Sequence, residues 1–379
     1  MTVSYNLPAD ILCPSQHAQK AGRQTASNSG LPLFQPDQDF CFEPPKAFAT
    51  LKELLLSEED ASSPLAITDP FPLFTPEAVE KMRADVFRRE VVDKYGQRTM
   101  PRCFKLRGYS KDTPYVDSVW RHELVVKACS QAAGVDLAVV FDYEIGQVNA
   151  QYDAITDDKP LSDTLPPAKP LLYEAAESPS ETSAQQDEPL SLGVWHKDAY
   201  PWVCVVMLSN PTNMVGGETG IRRGDGVLAK YRGPQMGWAV MMQGGCIDHI
   251  ALQGLGTGER VTMVTSFRPK SPLVKDTSDV AMVIYSSLVD ELFTQWTVYR
   301  LQVLTERTQA SQAKIAAGGM SEQDIAEAVA QWNKEQIEYM TYTASQMSAQ
   351  KINDAMARRK TLATKGWTFL SKQGLAKTE

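Results

Sequence analysis

The chain has 379 residues, of which 43% are hydrophobic, and a formal net charge of −8. This length suits one large domain with extensions, or two domains. The acidic balance argues against a nucleic-acid-binding protein, which needs a basic surface. No apolar run approaches the roughly 18 residues that predict a membrane span.

The distribution of cysteines and the composition of the N-terminus both indicate the cellular compartment of the protein. The six cysteines are scattered, with no C-x-x-C pair, as is typical of reduced thiols in an intracellular protein. No cationic segment followed by an apolar block opens the chain, so no secretory signal is expected. A cytoplasmic protein is therefore predicted, and the sequence does not indicate its oligomeric state.

Composition divides the chain into three regions. Residues 1–45 are polar and are predicted to form an arm around the body. Residues 46–288 are predicted to form the main domain, interrupted by an acidic, Pro- and Ser-rich insertion at 153–190. That insertion is too polar to order strongly alone, so it is either a mobile loop or an active-site lid. Residues 289–379 are predicted to be a helical extension packed on the domain.

Helix signals lie on both sides of the central region. Thr75 is a candidate cap for a helix that begins at Pro76, and a second helix is predicted over 117–133. In the extension, Ser321 and Asp324 have the spacing of a capping box. Four apolar positions of that last helix keep helical spacing and predict a buried face: Ile325, Val329, Trp332 and Ile337.

The centre of the chain is rich in β-forming residues. Four strand-length segments are separated by Gly, Pro and Asn, at residues 137–151, 202–210, 237–245 and 260–269. Strands at this spacing, without helices between them, favour an antiparallel sandwich or jelly roll. With the flanking helices, the predicted fold class is α+β.

Two of the four histidines lie in this β-rich centre. His196 and Asp198 are two residues apart, so on a strand their side chains share a face. His249, from a different strand, would complete one triangular face of an octahedron. Two imidazoles and one carboxylate in this arrangement leave three positions open, as in non-haem iron(II) oxygenases. The three residues are the predicted metal ligands and catalytic centre.

An arginine and a hydroxyl follow the second histidine. Arg260 and Thr262 share one face of a predicted strand. A guanidinium binds a carboxylate through two hydrogen bonds, and a hydroxyl adds a third, as a dicarboxylic keto acid chelating the metal requires. Arg268 is a competitor for this role. Asn149 and Gln151 end another strand and either bind cofactor or substrate or satisfy the strand edge.

These residues and the sequence segments around them resemble the iron(II)- and 2-oxoglutarate-dependent oxygenase superfamily, and a fungal branch of it in particular. The resemblance covers roughly residues 65–275 and is carried by DYEIGQVNAQY, WHKDAYPWVCVVML, GGETGIRRGDG, RGPQMGWAVMMQGGCIDHIAL and ERVTMVTSFRPKSP. It implies a double-stranded β-helix (a jelly roll), Fe(II), 2-oxoglutarate and dioxygen. It also implies that Arg260 binds the distal carboxylate of 2-oxoglutarate. Lys197 and Asp248, beside the ligands, are expected to point away from the metal.

The expected activity is oxidation of an unactivated C–H bond in a small molecule, by hydroxylation, desaturation or ring closure. The resemblance suggests a role in fungal specialised metabolism. The most specific hypothesis for the reaction is aziridine formation from valine. Two alternatives stay open: a non-catalytic metal-binding jelly roll, and a zinc hydrolase, since two histidines and a carboxylate also suit zinc. The hydrolase would need a general base that the sequence does not clearly supply.

Overall fold

The computed structural model describes residues 33–99, 102–152, 161–164 and 195–368. Most of the predicted arm and nearly all of the insertion therefore lie outside the described residues. The strands of the described part are β1 (Phe48–Thr50), β2 (Leu65–Thr68), β3 (Phe71–Pro72), β4 (Gly96–Arg98), β5 (Cys103–Leu106), β6 (Leu137–Val139), β7 (Gln147–Tyr152), β8 (Trp202–Met207), β9 (Val215–Gly216), β10 (Thr219–Arg222), β11 (Leu228–Tyr231), β12 (Trp238–Met242), β13 (His249–Ala251), β14 (Gly254–Leu255) and β15 (Glu259–Pro269).

Helices precede, interrupt and follow these strands. They are α1 (Pro36–Asp39), α2 (Pro76–Val86), α3 (Arg89–Tyr95), α4 (Pro114–Arg121), α5 (Glu123–Ala133), α6 (Leu161–Thr164), α7 (Val289–Ala316), α8 (Glu322–Ser345) and α9 (Ala349–Ala363). Short 3₁₀ turns occupy Ser110–Asp112, Asp142–Glu144, Val280–Met282 and Ile284–Ser286.

A large sheet of ten strands runs in the order β1-β2-β12-β8-β15-β7-β5-β4, with β3 beside β12 and β6 beside β15. A smaller sheet has the order β11-β10-β13, and β14 pairs with β9. The strand pairs within these sheets are antiparallel. The protein is thus a mixed α/β structure built on antiparallel sheets.

Strand β15 shows why the large sheet has two different faces. Side chains alternate along a strand, and Val261 and Met263 belong to the main hydrophobic core. Arg260 and Thr262, which alternate with them, point to the opposite face and line a cavity. The core on the first face is covered by α2, α4 and α5, so the helices before the insertion hold the sheet from one side.

The two predicted helices of the N-terminal half differ in outcome. Thr75 caps α2 as predicted, since its side chain accepts a hydrogen bond from the Ala78 amide at 3.2 Å. The single helix predicted over 117–133 is wrong, because the chain forms α4 and α5 with a break at His122. Its backbone is extended there, and its Nδ1 accepts from the Leu124 amide at 3.3 Å, which caps α5. The spacing of apolar residues over 117–133 does not reveal this break, because α4 and α5 both keep apolar residues on the buried side.

The helical extension packs on the domain through a second hydrophobic cluster. That cluster joins Tyr143 and Tyr200 of the domain to Trp296 and Tyr299 of α7. The capping box of Ser321 is confirmed by both of its hydrogen bonds.

The buried face predicted for α8 is wrong, because Ile337 is 60% exposed and Val329 41% exposed. The buried residues of α8 are Gln336 and Tyr339, and the Tyr339 ring lies 3.6 Å from Cζ of Arg300 on α7. Apolar spacing identifies a helix face but not the partner that covers it.

The structure bears on two features considered in the sequence, membrane-spanning segments and cysteines. Among the described helices, none is both long and apolar enough to span a bilayer. Five cysteines fall in the described part of the chain, and all are free thiols: Cys41, Cys103, Cys129, Cys204 and Cys246.

Candidate active site

A pair of backbone hydrogen bonds joins the two central histidines. The His196 amide donates to the His249 carbonyl at 3.1 Å, and the His249 amide donates back at 2.9 Å. His249 opens β13, whereas His196 lies in an isolated bridge rather than in the predicted strand. The Asp198 amide donates to the Gly244 carbonyl at 2.9 Å. The side chains of all three predicted ligands are thereby brought to one place.

The geometry of this trio fits a metal ion. One ligand atom from each residue lies within 4.8 Å of the others, and the two imidazole centroids are 4.5 Å apart. Asp198 Oδ1 is 3.8 Å from His196 Nε2, and Oδ2 is 3.7 Å from His249 Nε2. His249 Nδ1 lies 3.0 Å from the Ile247 carbonyl, which orients the ring and leaves Nε2 for a metal.

Asp198 supplies the sharpest test of that fit. Its Oδ2 is buried and has no hydrogen-bond partner among the described residues. A buried carboxylate oxygen without a partner is costly, and a divalent cation would satisfy it. The donor set of two imidazoles and one carboxylate is that of the non-haem iron(II) facial triad.

Gly244 is a close neighbour that the sequence did not single out. A Cβ at this position would lie 1.8 Å from Asp198 Oδ2 and 2.7 Å from its Cγ, so only glycine leaves room for the carboxylate. Gly244 also accepts the Asp198 backbone hydrogen bond. It positions the ligand without contacting the metal.

Gly244→Ala is expected to weaken metal binding by about tenfold to hundredfold, the usual cost of removing a group that orients a ligand. The added methyl group would push the Asp198 carboxylate away from both histidines. Anaerobic calorimetry with Fe(II) measures the effect. Gly233→Ala is the matched control, since the atoms nearest its added Cβ belong to Gly217, at 3.2 Å, and Met207, and none belongs to the trio. Equal affinities of the two variants would show that Gly244 does not position Asp198.

The trio opens into a cavity of about 720 Å³. Thr219, His249 and Ala251 of the small sheet line it, and so do Arg260 and Thr262 of the large one. Their cross-strand neighbours also line it, because Gln151 is opposite Arg260 and Asn149 is opposite Thr262. Every residue predicted for the site therefore lines this one cavity.

Arg260 is buried and forms no ion pair among the described residues, and the Glu218 carboxylate acts on its charge only from beyond ion-pairing distance. Its Nη2 donates only to the Gly217 carbonyl, at 3.3 Å, and its Nε has no hydrogen-bond partner. Burial lowers the pKa of this guanidinium to about 10. An unpaired, buried fork facing a cavity is suited to the carboxylate of a ligand.

The competitor Arg268 lies outside the lining of this cavity. Its guanidinium donates to the Pro269 and Lys270 carbonyls and sits 5.3 Å from the Tyr299 ring centroid. Both of these hydrogen bonds come from Nη1, and Nε has no partner among the described residues. The position of Arg268 outside the cavity lining is therefore what favours Arg260 as the carboxylate anchor.

The other residues near the ligands have distinct roles. Asn149 accepts a hydrogen bond from the Gln147 side chain at 3.2 Å. The Gln151 side-chain amide donates to the Gly254 carbonyl and accepts from the Gly254 amide. These bonds favour a role in satisfying the strand edge over contact with a ligand. Lys197 is exposed and contributes to the lining of the cavity, so its direction relative to the metal stays a prediction. Asp248 turns away from the trio and pairs with Arg222 at 2.5 Å.

Sequence reasoning missed a second polar group of the cavity, formed by Lys105, Arg107 and Glu144. Glu144 is ion-paired with Arg107 and accepts the Tyr200 hydroxyl at 2.7 Å. The weak signal was the alternation of CFKLR, which places lysine and arginine on one face of β5 and its continuation.

Solved structures that are similar to this chain include enzymes described as 2-oxoglutarate- and Fe(II)-dependent oxygenases. No family model matches the chain, and no curated protein does. Among solved structures, an oxidoreductase of the 2OG-Fe(II) oxygenase family from Burkholderia pseudomallei is similar, with 11% identity and a TM-score of 0.33. The match covers 50% of this chain and 78% of that one.

Two further solved structures are of named enzymes. HygX from Streptomyces hygroscopicus, with nickel, 2-oxoglutarate and hygromycin B bound, has 12% identity and a TM-score of 0.32, covering 54% of this chain and 83% of its own. A prolyl-4-hydroxylase from Pseudomonas putida has 13% identity and a TM-score of 0.28, covering 52% and 88%. At these scores the function has to be argued from the site itself.

Proposed function

We propose that the protein is an iron(II)- and 2-oxoglutarate-dependent oxygenase that acts on a small molecule. The observation that carries this proposal is that a His-Asp-His trio and an unpaired, buried Arg260 open into the same cavity. When bound, iron with 2-oxoglutarate and dioxygen supplies oxidation of an unactivated C–H bond, with succinate and carbon dioxide as co-products.

The chain's own residues have separate tasks in this proposal. His196, Asp198 and His249 hold the metal on one face. Arg260 and Thr262 bind the distal carboxylate of 2-oxoglutarate, while Asn149 lies beside them for the cofactor or substrate. The cavity walls position these groups and exclude water. The sheets that form the walls are interpreted, within the same proposal, as a double-stranded β-helix.

The zinc-hydrolase alternative needs a general base beside the metal. Apart from Asp198, the described carboxylate that lines the cavity is Glu144. Its pairing with Arg107 and Tyr200 occupies it, so it is poorly placed to accept a proton from water. The geometry favours the oxygenase over the hydrolase. A non-catalytic metal-binding protein would have the same geometry, so a measurement of turnover is needed to distinguish it from the oxygenase.

The finer parts of the proposal come from the sequence. The family resemblance suggests a role in fungal specialised metabolism and a reaction that hydroxylates, desaturates or closes a ring, whereas cysteine use and the N-terminal composition suggest a cytoplasmic location. Valine, with aziridine formation, is the first substrate to test. A succinate-release screen across amino acids and fungal metabolites would identify the substrate directly.

Anaerobic titration with Fe(II) and 2-oxoglutarate tests the class. We expect a visible charge-transfer absorption that appears only when both are present, followed by succinate formation on admission of air. Zn(II) in place of Fe(II) should give neither. Absence of the absorption, together with Zn(II)-dependent hydrolysis, would replace the oxygenase by the hydrolase. The absorption without any succinate across the substrate screen would indicate the non-catalytic alternative.

A further inference from the structure

Lys105 is a buried cation in the cavity to which the proposed oxygenase chemistry assigns no role. It lies on β5, is only 8% exposed, and lines the same cavity as the metal trio. Among the described residues its ammonium group has neither a hydrogen bond nor an ion pair. Its neighbours are two aromatic rings, with centroids 5.4 Å away at Tyr285 and 5.6 Å away at Trp367.

No counter-charge in the described part of the chain is available to this ammonium group. The nearby carboxylate, Glu144, is already paired with Arg107. Arg358, whose Cζ lies 4.1 Å from the Tyr285 ring centroid, adds further positive charge to the same part of the cavity. Burial and these two arginines lower the pKa of Lys105 to about 7. An anion entering the cavity would supply the missing partner and favour the charged lysine.

The position of Lys105 separates it from the proposed anchor of 2-oxoglutarate. Lys105 is opposite Asn149, which is in turn opposite Thr262, so two strand spacings lie between Lys105 and Thr262. At about 4.8 Å per spacing, the two backbone positions are roughly 10 Å apart. One carboxylate held by Arg260 and Thr262 cannot also pair with Lys105 unless the lysine reaches along the sheet. This backbone separation favours two anion-binding positions in the cavity over a single shared one.

We propose that Lys105 binds a carboxylate of the substrate, with Arg358 reinforcing it, so that the substrate class is small-molecule carboxylic acids. This inference rests on the proposed function only in naming the ligand a substrate. Tyr285 and Trp367 form the apolar sides of the position, with ring centroids 6.4 Å apart. The substrate's carboxylate is held there while the rest of the molecule extends toward the trio.

The helical extension takes part in this second position. Arg358 and Leu362 of α9, and Trp367 beyond it, line the cavity together with Lys105 of the main domain. The extension is thus a wall of the substrate pocket as well as a support for the domain. Substrate selectivity is divided between β5 and the C-terminal helix.

Matched pairs of carboxylates and their uncharged amides test the proposal without knowledge of the natural substrate. The probes are butyrate and butyramide, benzoate and benzamide, and L-alanine and L-alaninamide, measured by calorimetry. Saturating 2-oxoglutarate and Ni(II) keep the Arg260 position filled. We expect the carboxylate of at least one pair to bind about tenfold more tightly than its amide, as a charge-assisted contact predicts.

Lys105→Met should reduce that ratio to below about twofold, while Lys105→Arg should retain most of it. Lys127→Met is the matched control, because Lys127 lies on the surface of α5 and pairs with Glu123. Arg358→Gln, which leaves the buried lysine in place, should lower the ratio severalfold. It provides a second measurement if Lys105→Met does not fold.

Other outcomes would overturn the assignment. They are the absence of any carboxylate preference in the wild-type protein, or a preference unchanged in both Lys105→Met and Arg358→Gln. Weakened 2-oxoglutarate binding with an unchanged ratio in Lys105→Met would make Lys105 part of the co-substrate site instead. The same ratios measured in His196→Ala and Arg260→Ala proteins distinguish the two proposals. A preference retained there shows that the carboxylate position exists whether or not the oxygenase assignment is correct.

Discussion

Replacing His196 or His249 with alanine is expected to abolish 2-oxoglutarate-dependent turnover while leaving the protein folded. Each imidazole contributes one of three ligands, and the two ligands that remain would hold the metal weakly and in the wrong geometry. The side chains face a cavity rather than the hydrophobic core, so their removal leaves packing intact. Succinate release measures turnover, and thermal unfolding measures the fold.

His122→Ala is the matched control for these two variants. His122 caps α5 and is not in the trio, so its loss should cost about 1 kcal/mol of stability and leave turnover unchanged. Ordinary activity of His196→Ala or His249→Ala, measured with Fe(II) present, would show that the ligand assignment is wrong.

Arg260→Ala is expected to raise the apparent KM for 2-oxoglutarate by about tenfold or more. The substitution removes a charge-assisted contact worth roughly 1.5–3 kcal/mol, and about 1.4 kcal/mol corresponds to a factor of ten. Fe(II) affinity should be unchanged, because the guanidinium is not a metal ligand. Steady-state kinetics with varied 2-oxoglutarate and direct Fe(II) titration separate the two effects.

Stability provides an independent measure for the same variant. The pKa of Arg260 is lowered in the folded protein, so folding costs free energy at neutral pH and the cost disappears only in strongly alkaline solution. Arg260→Ala should therefore unfold at a temperature equal to or above that of the wild type when 2-oxoglutarate is absent. Arg268→Ala serves as the control, and a raised KM in that variant alone would transfer the anchoring role to Arg268.

Several parts of the site could be predicted from the sequence because their chemistry depends on short spacings. Side-chain alternation placed Arg260 and Thr262 on one face, and the structure has both of them in the cavity. The scarcity of histidine made His196 and His249 conspicuous. The structure brings them together with Asp198, although through an isolated bridge rather than the predicted strand.

Other parts depend on contacts between distant segments and were beyond the sequence. Lys105 is one of many lysines, and only the approach of Tyr285 and Trp367 makes it a buried cation. Gly244 is essential to Asp198 only because their segments meet. The exposure of Ile337 on α8 has the same origin, since helical spacing carries no information about the partner.

The backbone bridge between His196 and His249 has a consequence for how tightly the site can bind. Fixing the backbone of one residue costs roughly 1–2 kcal/mol in conformational entropy. Ordering three free ligand residues at the moment of metal capture would therefore consume roughly 3–6 kcal/mol, or about two to four orders of magnitude in affinity. Here the two reciprocal hydrogen bonds, and the one from Asp198 to Gly244, fix the three backbones when the protein folds, so metal binding does not have to order them. The three side chains thus present a preorganised chelate, and most of the free energy of coordination is available to retain the ion.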